Sequence, residues 1–236
     1  MKVLSVEASG STASVSILSE KGILGEINLN FKMQHSVLLM PMIEQLLKET
    51  SLTISEVDGF VVSKGPGSFT GLRIGMATVK GLALGSQKPV VAVSSLDALA
   101  YSIYTEDGII CSMMDALRSN VYYSLYRVKS GNLEAIKEVS TCSLEELIEE
   151  LKTYNEKIYF VGDGATIHRA TLEASLENHA FAPLHLNYPK ASSLGELGLK
   201  LLIEGKEDDL NTLAPIYLRR PQAEREYDKK MSEKNE

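Results

Sequence analysis

The 236-residue sequence predicts an α/β fold made of two lobes of similar plan with a cleft between them. Two observations carry this expectation. Each half opens on strands in meander order and then runs helix, strand, helix. The first half also holds an apolar strand, a glycine-rich turn and a helix in direct succession, an order with the geometry for cradling an anion. The duplication lies in element order and not in residue identity. It places a first lobe at residues 1–105, a second at 106–215 and a polar tail at 216–236. A helix over 192–205 can pack back on the first lobe.

The elements follow in order. Lys2 to Val6 reads as a buried strand, and two period-two segments, Ala13–Leu18 and Gly22–Phe31, complete an antiparallel meander. A helix is expected from about Ser36 to Thr50, kinked or restarted at Pro41. A short helix or turn at Ser55–Asp58 precedes a strand at Gly59–Val62, the glycine loop, and a helix from about Thr70 to Leu84. Pro89–Val93 is the next strand, and Ser94 or Ser95 caps a helix through about Tyr104. In the second half, strands are expected at Ile109–Met114, Val121–Tyr126 and Ala135–Ser140. Ser143 and Glu146 form a capping box for a helix through Tyr154. A strand at Ile158–Val161, a helix near Thr166–Asn178 and a last helix at Ser192–Ile203 complete the chain.

Composition narrows the function. A net charge of −7 argues against whole-surface attraction to nucleic acid, which needs a basic footprint. The basic concentrations, Arg219-Arg220 and Lys229-Lys230, lie at the tail, where acids are interleaved. No apolar run reaches membrane-spanning length, and Glu7 comes too early for a signal peptide. The two cysteines, Cys111 and Cys142, have no metal spacing and read as reduced thiols, so a cytoplasmic protein is expected.

Ser63-Lys64-Gly65-Pro66-Gly67-Ser68-Phe69-Thr70-Gly71 is the central motif. Gly65 and Gly67 permit close backbone approach, and Ser68 or Thr70 can cap the following helix. The loop serves either a tight turn or an anion contact; without Gly-Lys-Ser/Thr it is no P-loop. Gly71, Gly75, Thr78, Gly81 and Gly85 recur at roughly helical spacing. Each interior glycine costs about 0.5–1 kcal/mol, so the face they leave bare suits close helix packing, within the chain or with a partner. The segment His35–Leu47 is apolar nearly all round in its first turns and rich in methionine, which suits either burial or docking. Asp115 with Arg118 is either a cleft acid with its ion pair or a turn salt bridge. Gly162-Asp163-Gly164 is either a nucleotide contact or strand-end turn chemistry. His35, His168, His179 and His185 show no paired spacing and make no metal site.

The run Ser63 to Gly75, then Ala77-Thr78-Val79-Lys80-Gly81-Leu82-Ala83, Val93-Ser94-Ser95-Leu96-Asp97-Ala98-Leu99, Met114-Asp115-Ala116-Leu117-Arg118 and Pro215-Ile216-Tyr217-Leu218-Arg219 closely resemble the TsaB (YeaZ) family. His35-Ser36, Leu39-Met40-Pro41 and Val161-Gly162-Asp163-Gly164-Ala165 extend the likeness over nearly the whole chain. The resemblance implies the actin/sugar-kinase/Hsp70-like duplicated fold. It also implies a non-catalytic role in forming N6-threonylcarbamoyladenosine at position 37 of tRNAs that decode codons beginning with A. The implied partners are a TsaD-like catalytic subunit and a TsaE-like ATPase, with a homodimer when the chain is alone, tRNA reached only through the complex, and no membrane.

Docking is expected on the first-lobe helices, at His35, Leu39, Met40, Ile43, Leu47, Phe69, Gly71, Leu72, Gly75, Thr78 and Leu82. A vestigial nucleotide contact would use Ser9, Gly65, Gly67, Ser68, Asp115, Arg118, Gly162 and Asp163. The TsaD family carries a metal-binding histidine pair after its own Gly-Pro-Gly helix; aligned on that helix, Ser95 and Leu99 stand at the two positions here. Leucine cannot coordinate a cation. No catalytic residue, metal or cofactor is therefore expected on this chain, and ATP and metal belong to the partner subunits. The rival class is an ATP-dependent phosphotransferase with Glu7 or Asp115 positioning Mg²⁺. A glycoprotease-like metallopeptidase is the weaker alternative.

Overall fold

A computed structural model describes residues 1–30, 34–103, 107–130 and 132–218. Two five-stranded mixed sheets form the frame. In the first, β1 (Lys2–Glu7), β2 (Ala13–Ser19) and β3 (Gly22–Leu29) make the antiparallel meander, while β4 (Gly59–Gly65) and β5 (Val90–Ser94) add in parallel, giving the order β3-β2-β1-β4-β5. In the second, β6 (Gly108–Asp115), β7 (Asn120–Lys129) and β8 (Asn132–Ser143) form the meander and β9 (Ile158–Val161) and β10 (His179–Phe181) the parallel extension. Its order, β8-β7-β6-β9-β10, repeats the first sheet strand for strand. The duplication read from element order is thus a duplication of topology.

Helices α1 (His35–Glu49) and α2 (Phe69–Ser86) pack on each other and cover one face of the first sheet. Leu39, Met42, Ile43 and Leu46 of α1 meet Met76, Val79 and Ala83 of α2 over Leu4, Val6, Val15 and Phe60. In the second lobe, α4 (Leu144–Leu151) buries Leu144, Leu147, Ile148 and Leu151 against Ile109, Met113 and Phe160. Its capping box is in place: Ser143 Oγ accepts from Glu146 N, and Glu146 Oε2 accepts from Ser143 N.

Two further helices are exchanged between lobes. α3 (Ser95–Tyr101) follows the first sheet in sequence yet packs on β6 and β7 of the second. α7 (Ala191–Ile203) follows the second sheet and covers β1, β2, β4 and β5 of the first. Gly195 and Gly198 let α7 lie close: a Cβ at either would stand 2.3–2.4 Å from Leu18 or Val61 side-chain atoms. Tyr126 Oη donates to Asp97 Oδ1 at 2.5 Å, fastening α3 to the second sheet. Burial lifts the Asp97 carboxyl above its ordinary range, and the Tyr126 bond opposes that rise.

Several expectations need correction. Of the kink or restart expected at Pro41, the restart does not occur, since α1 runs unbroken through it; the carbonyl it leaves without a helical donor belongs to Val37, an exposed residue. The single helix expected over Thr166–Asn178 is two, α5 (Asp163–Ile167) and α6 (Arg169–Ser175). They meet at His168, whose backbone (φ −97°, ψ 12°) lies in the bridge region and ends one helix while starting the next. The strand β10 and the 3₁₀ turn at Leu184–Leu186 were not expected. The tail assigned to 216–236 begins with anchored residues, since Ile216 N donates to Lys64 O. Arg219, Arg220, Lys229 and Lys230 lie outside the described residues.

Candidate functional site in the cleft and on the first-lobe helices

A cleft of about 340 Å³ opens between the lobes. Its lining brings together Ser9, Gly67, Ser68, Asp115 and Asp163, five of the residues expected to contact a nucleotide, with Phe69, Tyr122 and Tyr217. Gly65, Gly162 and Arg118 do not line it. The glycines in the two loops serve backbone packing. Gly67 has φ +152°, and a Cβ there would lie 2.2 Å from Ser9 O. Ser68 N donates to that same Ser9 carbonyl at 2.6 Å. Gly71 backs onto Ala8 O, where a Cβ would come to 2.1 Å, and Ser68 Oγ caps Gly71 N. The first turn of α2 is therefore pressed against the β1–β2 turn of its own lobe, and two of its amides are already satisfied there.

The second lobe uses its glycines the same way. Gly162 has φ +117°, and a Cβ would meet Met113 O at 1.9 Å. Asp163 Oδ1 accepts from Asp115 N at 3.2 Å, joining the two loop ends. Burial pushes the Asp163 carboxyl up, against the pull of that amide. Asp115 pairs with His168 Nε2 at 3.6 Å and not with Arg118, whose side chain is exposed and makes no ion pair among the described residues. The turn explains this correction: Leu117, Arg118 and Ser119 all have positive φ, which carries Arg118 out to solvent. His168, read as isolated, faces the cleft acid because the α5–α6 break delivers it there.

At the floor, Glu7 is buried, and its Oε1 accepts from Ser9 N at 2.5 Å. Desolvation raises its carboxyl above the ordinary range. Ser63 Oγ and Ser95 Oγ form a buried 2.6 Å hydrogen bond, and Leu99 is fully buried with Leu96 and Ile110. The helix cap is Ser94, which accepts from Leu96 N. Among the described residues no group of three or more His, Cys, Asp or Glu is placed to hold a metal.

The first-lobe helices divide differently from expectation. Leu39 and Ile43 are buried on the sheet side of α1 and Leu72 within α2, while Gly71 and Gly75 face Ala8; these five contact their own lobe and present nothing outward. His35, Leu47, Phe69, Thr78 and Leu82 are half-buried. Met40 is 49% exposed, beside Val37 at 56%. On α2 the open positions are Thr70, Arg73, Ala77, Gly81, Gly85 and Leu84, the last 72% exposed, and a Cβ at Gly81 or Gly85 would meet nothing within 4 Å. Val37, Ala77 and Leu84 are the outward residues that sequence reasoning missed.

A family model described as TsaD, tRNA N6-adenosine threonylcarbamoyltransferase, matches residues 17–227. The Bacillus subtilis (strain 168) tRNA threonylcarbamoyladenosine biosynthesis protein TsaB is 34% identical over 225 residues, 95% of this chain and 96% of that one. The chain belongs to the TsaB (YeaZ) family. A Pseudomonas aeruginosa structure, described as an uncharacterised protein with similarity to the peptidase YeaZ, superposes with a TM-score of 0.79 at 27% identity, covering 92% of this chain and 99% of that one. The family's fold is the two-lobe actin/sugar-kinase/Hsp70-like one. The same architecture extends to component A of the Acidaminococcus fermentans (R)-2-hydroxyglutaryl-CoA dehydratase, at a TM-score of 0.50 and 12% identity over 85% of this chain and 98% of that one.

Proposed function

We propose that this TsaB-family chain is a non-catalytic docking subunit in the transfer of threonylcarbamoyl from its adenylate to N6 of adenosine 37. The tRNAs concerned read codons that begin with A, and the chain acts with a TsaD-like catalytic subunit and a TsaE-like ATPase. The observation that carries the reading is the outward side of α1 and α2, where Val37, Met40 and Leu84 stand exposed beside the nearly bare positions Ala77, Gly81 and Gly85. An apolar, flat helix pair of this kind is suited to close approach by another helix pair. In the absence of TsaD the same surface pairs two copies of the chain. The cleft supports the same reading: its glycines press on the chain's own backbone, Ser68 N is taken by Ser9 O and Gly71 N by Ser68 Oγ, and Leu99 offers no metal ligand. ATP and metal then reside on the partner subunits, and the complex works in the cytoplasm.

The test is sedimentation of the chain with a TsaD homologue, followed by a modified-nucleoside assay. Met40→Asp and Leu84→Asp should each abolish the complex and the homodimer while leaving the fold intact. Normal complex formation by both variants would sink the assignment. Gly75→Leu does not serve, because a side chain there meets Ala8 inside the lobe. Turnover of Mg·ATP by the isolated chain would favour the phosphotransferase instead.

A further inference from the structure

The segment 204–218, after α7, has no helix or strand of its own, yet it is tied down at intervals along the first lobe. Asp208 N donates to Val90 O, and Asp208 Oδ2 accepts from Ala92 N, so it begins beside β5. Leu210 and Leu213 pack on the first-lobe core, and Lys80 Nζ donates to Leu213 O. Farther on, Ile216 N donates to Lys64 O. Tyr217 then rests on Phe69 with ring centroids 4.8 Å apart, and its Oη accepts from Arg73 Nε at 2.9 Å. The Arg73 guanidinium lies 3.8 Å from the Phe69 ring centroid.

We propose that residues 208–218 are a strap that gates the cleft, with Tyr217 as its latch. Ile216, Tyr217 and Leu218 form one wall of the cleft. The anchoring is graded: the start is held by core packing and two bonds to β5. Among the described residues the end is held by one backbone bond, the Phe69 ring contact, and the exposed Arg73 side chain, which bonds Tyr217 Oη and lies 5.7 Å from its ring centroid. Local opening follows the weakest contacts, so the strap lifts at Tyr217 while Leu210 and Leu213 stay seated. Ser9 lines the same cleft as Ile216, Tyr217 and Leu218, and its buried hydroxyl makes the surface beside the strap polar. The gate stands apart from the docking role and is measured on the chain alone.

The test places a thiol at the cleft floor with Ser9→Cys in a Cys142→Ser background, leaving Cys111 buried, and follows its labelling by a small maleimide. Losing the ring contact and the hydrogen bond in Tyr217→Ala should raise the labelling rate roughly tenfold. Tyr217→Phe keeps the ring and should raise it about threefold or less. Amide exchange must show loss of protection at Ile216 with protection retained at Ser68, the donor to Ser9 O. An unchanged rate in Tyr217→Ala overturns the gate. So does a rise with Ile216 still protected, or one that comes only with loss of protection at Ser68.

Discussion

The two lobes share one strand order and part company on their outer helices. α1 and α4 occupy the same place in the topology, and each buries an apolar stripe against its own sheet. Outward, α4 shows Glu145, Glu146, Glu149 and Lys152, whereas α1 shows Val37, Met40 and Pro41 ahead of Glu44 and Lys48. The second pair of helices diverges as well. α2 is one helix of 18 residues, while its counterpart is broken at His168 into two short ones. A copied frame thus carries two different surfaces: one charged along its length, the other apolar over the first turns of α1 and the bare stretch of α2 and charged beyond them. The asymmetry lies on the outside, where packing does not dictate it.

The loops at the lobe interface sharpen the comparison, because there the lobes agree. Gly162→Ala forces a Cβ into the Met113 carbonyl and should cost more than about 3 kcal/mol in denaturant unfolding. Gly67→Ala, facing Ser9 O, should cost a similar amount; a small loss at either site would break the equivalence. Next in size, Leu39→Ala should lose about 2–5 kcal/mol from the buried side of α1. Ser143→Ala removes the α4 cap and should cost about 1 kcal/mol. Smallest of all, Met40→Ala should change stability by no more than about 0.5 kcal/mol while weakening partner binding, which separates the two sides of one helix.

Titration offers a further contrast. Glu7 holds its proton more tightly folded than unfolded, because desolvation raises its folded pKa. Its contribution to stability is therefore best below the unfolded carboxylate value and declines as pH climbs through the raised folded value. Glu7→Gln keeps an acceptor for Ser9 N and removes that decline. The variant should gain stability relative to the parent at pH 7 and none at pH 4, by thermal unfolding at both.

Much of this was legible in the residues. Alternation gave the meanders, and the Ser143–Glu146 box gave α4, because both are local signals with a fixed period or spacing. β10 has only three residues and no period to read, and the break at His168 lies in a segment with no glycine or proline beside it to mark a stop. The glycine stripe of α2 misled for a geometric reason. Gly71 and Gly85 point within about 40° of each other around an α-helix, so direction does not divide them: Gly71 and Gly75 lie at the end of α2 that meets Ala8, and Gly81 and Gly85 lie beyond it with nothing against them among the described residues. Spacing alone identified a face with little volume; only the packed helix shows that its two ends serve different neighbours.

The exchange of α3 and α7 has a consequence for how the chain is made. During synthesis the first sheet emerges early, with α1 and α2 ready to cover one side. The other side, bearing Val3, Leu18, Val61 and Val91, is sealed by Leu194, Leu199 and Leu202 of α7. Those residues are translated only after the entire second sheet. The nascent first lobe therefore passes through a half-clad stage with an apolar sheet face open to solvent, a stage at which such proteins depend on chaperones. Cutting the chain between its lobes would make that stage permanent.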